Sequence, residues 1–342
     1  MKHFEFWHPR LFEIPYYIYL LISASVRGLS IKSLAKANFA LDHGEIGIGS
    51  KLQTQLAFDQ KHFLPTERLA AETTDEEKVR QIMAFAERHN YPLILKSDIG
   101  SVGKGIVKVR SKEDIGPRVR QLSGPYLIQK FTDWNEEYGV FYVRHHGRAR
   151  ITGINKKHFP TVVGDGRKSI QDLAEQHPRY SMHWATFLQY LDVHRIPSSG
   201  EIVQLSFIGS HTMGCKFTND SHLLNARLQA AVCSIFEYQR GFNFGRLDIK
   251  ACSESEFLAG RFVVIEVNGV ASLPTHMFDP DNSLAQAYGI FLRHGQHLIE
   301  AASENRYQAM YLDSYSSIIR RVRESARLLN LSHQHLMKSS GR

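Results

Sequence analysis

Apolar positions recur about every 3.6 residues through 75–90, DEEKVRQIMAFAERHN, where Val79, Ile82, Met83 and Ala86 share one side and acids open the run. This predicts an amphipathic helix. Residues 11–26, LFEIPYYIYLLISASV, are apolar and aromatic almost throughout and predict an N-terminal helix. YPLILKSD reads as a buried strand carrying Lys96, GSVGKG (100–105) as a glycine turn, and IVKVR as the returning strand of a hairpin. A helix over 111–122 leads to the strand YLIQKF. EYGVFYVR, RARITGIN and TVVG then read as antiparallel strands, and Gly164-Asp165-Gly166 turns the chain into the helix SIQDLAEQ. Residues 181–193 predict another helix, EIVQLSFIG a strand, HTMGCKFTND a loop, and LLNARLQAAVCSIFEYQ a long helix. Helices over 284–302 and 306–329 close the chain. The order is α+β, without a regular β-α-β alternation.

Two further strands carry the chemistry. In GRLDIK, Arg246, Asp248 and Lys250 alternate with Leu247 and Ile249. In VVIEVNG, Glu266 and Asn268 fall on one face and Ile265 and Val267 on the other. An Asp, a Glu and an Asn are hard oxygen ligands, and beside an Arg and a Lys they suit a Mg²⁺–polyphosphate site. The same alternation also fits a hairpin with a solvated polar face.

Composition adds bounds. The 342 residues are enough for one large domain or two smaller ones, and 43% hydrophobic with 22% charged residues is ordinary for a globular protein. The net charge of +8 and a pI near 9.3 permit phosphate, nucleic acid or an anionic membrane as partner and select none of them. No finger spacing, RNP-like strand or long basic run is present, so no nucleic-acid partner is expected. Cys215, Cys233 and Cys252 form no C-x-x-C pair and read as reduced thiols of a cytoplasmic protein. In the N-terminal stretch Glu13 and Pro15 leave an apolar run too short to span a bilayer. A helix packed on the main domain is the leading expectation. An interfacial helix flanked by Arg10 and Arg27, giving peripheral membrane contact, and a signal peptide are the alternatives.

The loop GSVGKG supplies three glycines, Ser101 and Lys104, and glycine lets backbone N–H groups approach phosphate oxygens. It lacks the P-loop order, the dinucleotide fingerprint and the protein-kinase arrangement. A strand lysine, a glycine hairpin, a strand running into QKFTDWNEEY, and later Asp, Glu and Asn on adjacent strands form an ordered set. With them, roughly residues 55–300 resemble the ATP-grasp superfamily, and more narrowly its carboxylate–amine ligases. The tail is similar to D-alanine–D-alanine ligases, and the centre, FPTVVGDGRKSIQDL, to cyanophycin synthetase.

The resemblance implies an α+β ATP-grasp fold in which two lobes grip ATP. It divides the chain into 1–54 (aromatic helix and reduced substrate-side segment), 55–128 (first lobe), 129–302 (second lobe with the metal site) and 303–342 (basic C-terminal helix with Arg320, Arg321, Arg323 and Arg327). Lys61 and Lys96 look like the two phosphate-binding lysines, and Gly100, Ser101, Gly103, Lys104 and Gly105 like the phosphate lid. Gln129, Lys130, Phe131 and Thr132 match the hinge that receives adenine, with Gln129 where relatives usually carry Glu. Glu137 or Glu136 fits the ribose-binding acid, and the spacing leaves that choice open. Asp248, Glu266 and Asn268 match the Mg²⁺ ligands, with Mn²⁺ a workable replacement, and Arg246 matches the basic residue near the transferred phosphoryl group. Arg246, Lys250 and His276 are the catalytic candidates, His276 being preferred over His211 because it follows the metal strand and Asp279 is near it in sequence. The implied reaction activates a small carboxylate as an acyl phosphate and joins it to an amine. An ATP-binding regulator without ligase chemistry and an ATP-grasp phosphotransferase are the alternatives. Asn38 and Glu45 are candidates for a vestigial substrate surface, and a homodimer stays open.

Overall fold

Polar side chains set where several helices begin. In the computed structural model, which describes residues 4–46, 49–69, 72–99, 103, 105–182, 187 and 191–340, Thr74 accepts from the Glu77 amide at 3.2 Å. Three acids then fill the first turn of the helix Asp75–His89. Ser283 and Gln286 form a reciprocal capping box at Leu284–Glu304, and Ser169 with Asp172 does the same at Ile170–Glu175. In chain order the α-helices are α1 Pro9–Val26, α2 Lys51–Leu56, α3 Asp75–His89, α4 Lys112–Val119, α5 Ile170–Glu175, α6 Ala226–Ile235, α7 Glu254–Leu258, α8 Leu284–Glu304 and α9 Tyr315–Ser340. The strands are β1 Thr66–Leu69, β2 Leu93–Ser97, β3 Val107–Val109, β4 Tyr126–Lys130, β5 Glu136–His145, β6 Arg148–His158, β7 Thr161–Val163, β8 Ile202–Gln204, β9 Lys216–Asn219, β10 Phe244–Ala251 and β11 Val263–Asn268.

The chain divides into two compact units. The first comprises Met1–Pro65, Thr132–Lys156 and Phe217–Glu324. Its sheet runs β11-β10-β5-β6-β9, with β10 antiparallel to both β11 and β5, and β5 antiparallel to β6. One face presents Tyr138, Val140, Tyr142, Leu247 and Ile249 to a core completed by Leu228, Val232 and Ile235 of α6 and Phe257 of α7. The other face is split. Val143 and Phe244 join a second core with Phe291 and Leu298 of α8 and the inner side of α1, whereas the strand positions beyond them are polar.

Phe12, Tyr16, Leu20 and Ala24 recur every four residues and bury that inner side of α1. Tyr16 stacks on Phe291 with centroids 3.9 Å apart. Gly295 lets the two helices approach, since a Cβ there would lie 2.7 Å from the Tyr16 ring and 3.2 Å from Leu20.

The second unit comprises Thr66–Phe131, Lys157–Lys216 and Ser325–Arg342. Its antiparallel sheet has the order β1-β4-β2-β3, and its core joins Leu93, Leu95 and Ile128 to Ile82 and Phe85 of α3 and Ile115 and Val119 of α4. A two-stranded ribbon, β7 with β8, closes a smaller core with α5 around Val162, Ile170 and Val203.

Several elements differ from the sequence expectation for identifiable reasons. The stretch HTMGCKFTND is not a loop throughout: it ends in β9, whose Phe217 is buried in the sheet layer, and its glycine and polar residues had masked that strand. The long helix expected from Leu223 begins only at Ala226, because Asn225 caps it by accepting from the Leu228 amide at 2.9 Å. The last helix starts at Tyr315, not 306. Asp313 is held by Arg321 at 3.3 Å, and Ser314 caps the helix through the Ser317 amide. The strand expected over EIVQLSFIG is confined to β8. Most of the helix expected at 181–193 lies outside the described residues.

Candidate active site

The polar part of the first unit's sheet is built in cross-strand rows. Asp248 stands opposite Glu266 on β11 and Gly139 on β5, Arg246 opposite Asn268 and Phe141, and Lys250 opposite Glu137. A register shift between Asp248 and Ile249 makes a β-bulge at Ile265. The bulge corrects the simple alternation: Val264 and Val267 enter the core, whereas Ile265 stays half-buried. Glu266 and Asn268 nonetheless remain level with Asp248 and Arg246.

Asp248 is buried, and both of its oxygens accept from Arg246, Nε at 3.0 Å and Nη2 at 3.0 Å. Asn268 Nδ2 approaches the same carboxylate at 3.4 Å. This two-toothed, charge-assisted pairing satisfies a carboxylate that burial would otherwise penalise. Lys250 donates to the Trp134 carbonyl at 3.1 Å and lies 3.7 Å from Glu137. The two neighbouring acids are separated by the strand: Glu137 shares the face with Lys250, while Glu136 pairs with Lys156 at 2.7 Å and accepts from Tyr138 at 2.8 Å on the other side.

Glycine makes room on this face. A Cβ at Gly139 would lie 2.2 Å from Asn155 Oδ1 and 3.2 Å from Arg246 Cδ, so both side chains cross the space above it. Asn155, fully buried, accepts from Thr275 Oγ1 at 2.6 Å, and its Nδ2 has no hydrogen-bond partner. At Gly153 a Cβ would lie 2.5 Å from the ring of His276, which also packs on Phe141 with centroids 4.8 Å apart. Burial pushes the His276 pKa down to about 3, with Arg293 adding to the effect, so the ring is neutral at neutral pH. Asp279 is committed elsewhere, accepting from the Asn219 amide at 2.6 Å.

Asn155, Thr275, Lys51 and Glu45 are additions that the sequence reading either missed or left vague. Lys51 Nζ lies 3.9 Å from Glu266 Oε1. Glu45 is buried beside the end of β11: a Cβ at Gly269 would sit 2.3 Å from its own, and the Ala271 amide donates to its carbonyl at 3.3 Å. Thr54 donates to its carboxyl at 3.0 Å. The alternation in RITGIN already places Gly153 and Asn155 on one face, which is the signal that could have marked Asn155.

Burial raises the Glu45 pKa from 4.5 to about 7, against the opposing pull of Thr54 and Lys51. At this group the native protein therefore binds more protons than the unfolded chain between those values. The stability Glu45 contributes falls as pH rises across that window and is gone above it. Urea unfolding of metal-free protein is expected to show the difference between Glu45→Gln and the wild type moving by about 2–3 kcal/mol in favour of the variant from about pH 5 to about pH 8. A difference independent of pH would refute this account of Glu45.

In the second unit, buried Lys96 on β2 donates to Gln129 Oε1 on β4 at 3.0 Å, and Gln129 Nε2 donates to Thr66 Oγ1 at 2.9 Å. The side-chain oxygen of this hinge candidate thus accepts from Lys96. Lys130 points to solvent, and the Phe131 ring lies 3.6 Å beneath Lys108 Nζ. Gly103 and Gly105 have φ of +75° and +71°, and a Cβ at Gly103 would lie 2.5 Å from Ile208. Gly100, Ser101 and Lys104 lie outside the described residues. In the first unit, Thr132 Oγ1 accepts from the Trp134 amide at 3.4 Å, and Lys61 is exposed and paired with Asp59 at 2.7 Å.

No protein-family profile matches the chain, and no curated protein does. Solved structures do. A bifunctional glutathione synthetase from Pasteurella multocida aligns over 71% of this chain and 35% of its own, at 16% identity and a TM-score of 0.38. A D-alanine–D-alanine ligase from Bacillus anthracis aligns over 79% and 72%, at 12% and 0.44. A carboxyaminoimidazole ribonucleotide synthase from Aspergillus clavatus, complexed with ATP, aligns over 66% and 45%, at 12% and 0.40. The chain thus spans about a third of the first and less than half of the third. At these identities and TM-scores the likeness is one of partial fold and says nothing of family or activity.

Proposed function

We propose that the chain is an ATP- and Mg²⁺-dependent carboxylate–amine ligase that releases ADP. The observation that carries this reading is the direct register of Asp248 with Glu266, and of Arg246 with Asn268, on one polar face. Two carboxylates and an amide form an all-oxygen donor set of the kind Mg²⁺ takes. When bound there, the ion would supply neutralisation of phosphate charge. Asp248, Glu266 and Asn268 would hold it.

The chain's own residues then act by placement and charge, which is what phosphoryl transfer needs most. A carboxylate oxygen of the substrate attacks the γ-phosphorus, ADP leaves, and an acyl phosphate forms. The amine nitrogen attacks the acyl carbon, phosphate departs with the C–O electron pair, and the nitrogen gives up a proton. Arg246 would face the charge that accumulates on the transferred phosphoryl group and the tetrahedral intermediate. Lys250, held by Trp134 and Glu137, would add a second cation on the same face, and Glu137 would take the ribose hydroxyls. Within the second unit taken by itself, Lys96 suits phosphate and the backbone of Gln129–Phe131 an adenine edge. His276, neutral and wedged on Gly153, suits a hydrogen bond to substrate better than proton transfer near pH 7.

The test is a screen of amino acids, dipeptides and amines for ATP-to-ADP conversion, with mass detection of the product. An amide is the expected product. A phosphorylated product without amide would make the protein a phosphotransferase. Mg²⁺-dependent nucleotide binding without ADP from any pair would make it a binding module.

A further inference from the structure

The outward face of α1 carries no charge among its described side chains. Leu11, Ile14, Ile18, Leu21, Ile22 and Val26 are between 48% and 80% exposed, at the three- and four-residue spacing of a single stripe. A surface helix of a globular protein normally turns polar residues outward, and one that is apolar all round is covered on both sides. On α1 the inner side is covered by α8, which leaves this stripe as an apolar patch of the kind that marks an interaction surface.

The surroundings of the stripe identify its partner. Over residues 7–37 four basic residues stand against one acid, Glu13, which is half-buried and accepts from Tyr17 at 3.2 Å. At the Val26 end Arg306 Nη2 donates to the Arg27 carbonyl at 2.7 Å, and Lys36 Nζ to the Arg306 carbonyl at 2.5 Å. With Lys32, which lies over the Tyr315 ring, these residues gather cations at one end of the stripe. Exposed aromatic rings flank it: Trp7 before the helix, and Tyr307 and Tyr311 just beyond Arg306. Apolar side chains edged by Trp, Tyr, Lys and Arg are what a bilayer interface accommodates. A second copy of the chain fits less well. A stripe about 24 Å long and about 10 Å wide offers a few hundred Å², well below the roughly 800 Å² per partner of a stable interface.

We propose that the outward face of α1 docks on an anionic lipid surface, its apolar side chains entering the acyl boundary while Arg27, Lys32 and Arg306 meet lipid phosphates. Among the described residues no single helix is long and apolar enough to cross a membrane. The packing of the inner face on α8 keeps α1 lying along the surface of its own unit.

Flotation of the full chain with vesicles tests this. Binding is expected to vesicles of phosphatidylcholine mixed with phosphatidylglycerol, to weaken with added salt, and to be lower on phosphatidylcholine alone. Ile18→Glu/Leu21→Glu should lower the partition coefficient about tenfold or more, and Arg27→Glu/Lys32→Glu should abolish the preference for phosphatidylglycerol. Ile18, Leu21 and Arg27 are exposed and Lys32 is half-buried at the surface, so both variants should stay folded, with melting temperatures close to that of the wild type. Absence of wild-type binding, or Ile18→Glu/Leu21→Glu binding like the wild type, would overturn the proposal. So would equal binding to both kinds of vesicle, or a wild-type dimer that this variant converts to monomer. No nucleotide is needed, so failure here leaves the ligase reading untouched.

Discussion

Asp248→Asn is expected to lower Mg²⁺-dependent ADP release by at least about 10²–10³-fold while leaving the fold in place. The substitution keeps the side chain's shape and removes its charge at the position where β10 faces Glu266. It also leaves Arg246 with one acceptor oxygen where it had two, at 3.0 Å each. The guanidinium is only partly buried, so the stability change should stay within about 1–2 kcal/mol. Initial rates at several Mg²⁺ concentrations separate the two contributions. A variant that needs more Mg²⁺ and has a low limiting rate supports a ligand role, whereas a lowered melting temperature with an unchanged rate would reduce Asp248 to a structural ion-pair partner. Retention of the wild-type rate with the true substrates would sink the site assignment.

Asn38→Ala is expected to be the most destabilising of these changes, by about 3–5 kcal/mol, with little direct effect on the chemistry. Asn38 is completely buried, and its amide is used at both ends. Its oxygen accepts from the Asn243 and Phe244 amides at 2.9 and 3.0 Å, and its nitrogen donates to the Phe244 and Gly44 carbonyls at 2.8 and 3.2 Å. Alanine would strand the Asn243 amide and both backbone groups of Phe244 where water cannot reach them, while the Gly44 carbonyl keeps the Val270 amide at 3.1 Å. The residue ties the end of the 3₁₀ segment Ile31–Asn38 and the turn before Glu45 to the start of β10. An activity loss should therefore track unfolding in urea. A stable Asn38→Ala protein that has lost only activity would return Asn38 to the substrate-surface role the sequence suggested.

These two residues mark the limits of what was legible in the chain. Asp248 could be placed on a face with Arg246 and Lys250, because alternation along a strand is local information. Asn38 carries no such signal: its partners near residue 243 are about two hundred positions away, and nothing in its neighbours announces them. The same holds for Gln129, whose side-chain partners Lys96 and Thr66 come from other strands and are announced by nothing near it in sequence. Glu136 and Glu137 were indistinguishable by spacing, and the register of β5 against β10 and β6 separates them.

The sequence by itself determined the α+β character, the helices α3 and α8, the hairpin of β2 with β3, and the presence of two carboxylates on adjoining strands. All follow from periodicities and turn residues within a few positions of one another. Only the tertiary structure decided the bulge at Ile265 that keeps Glu266 level with Asp248, and the glycine at 139 that admits Asn155 and Arg246. It also decided the burial that lifts Glu45 toward neutrality, and the one-sided covering of α1. Those depend on which surfaces meet across long stretches of chain, where packing and desolvation act and local pattern carries no information.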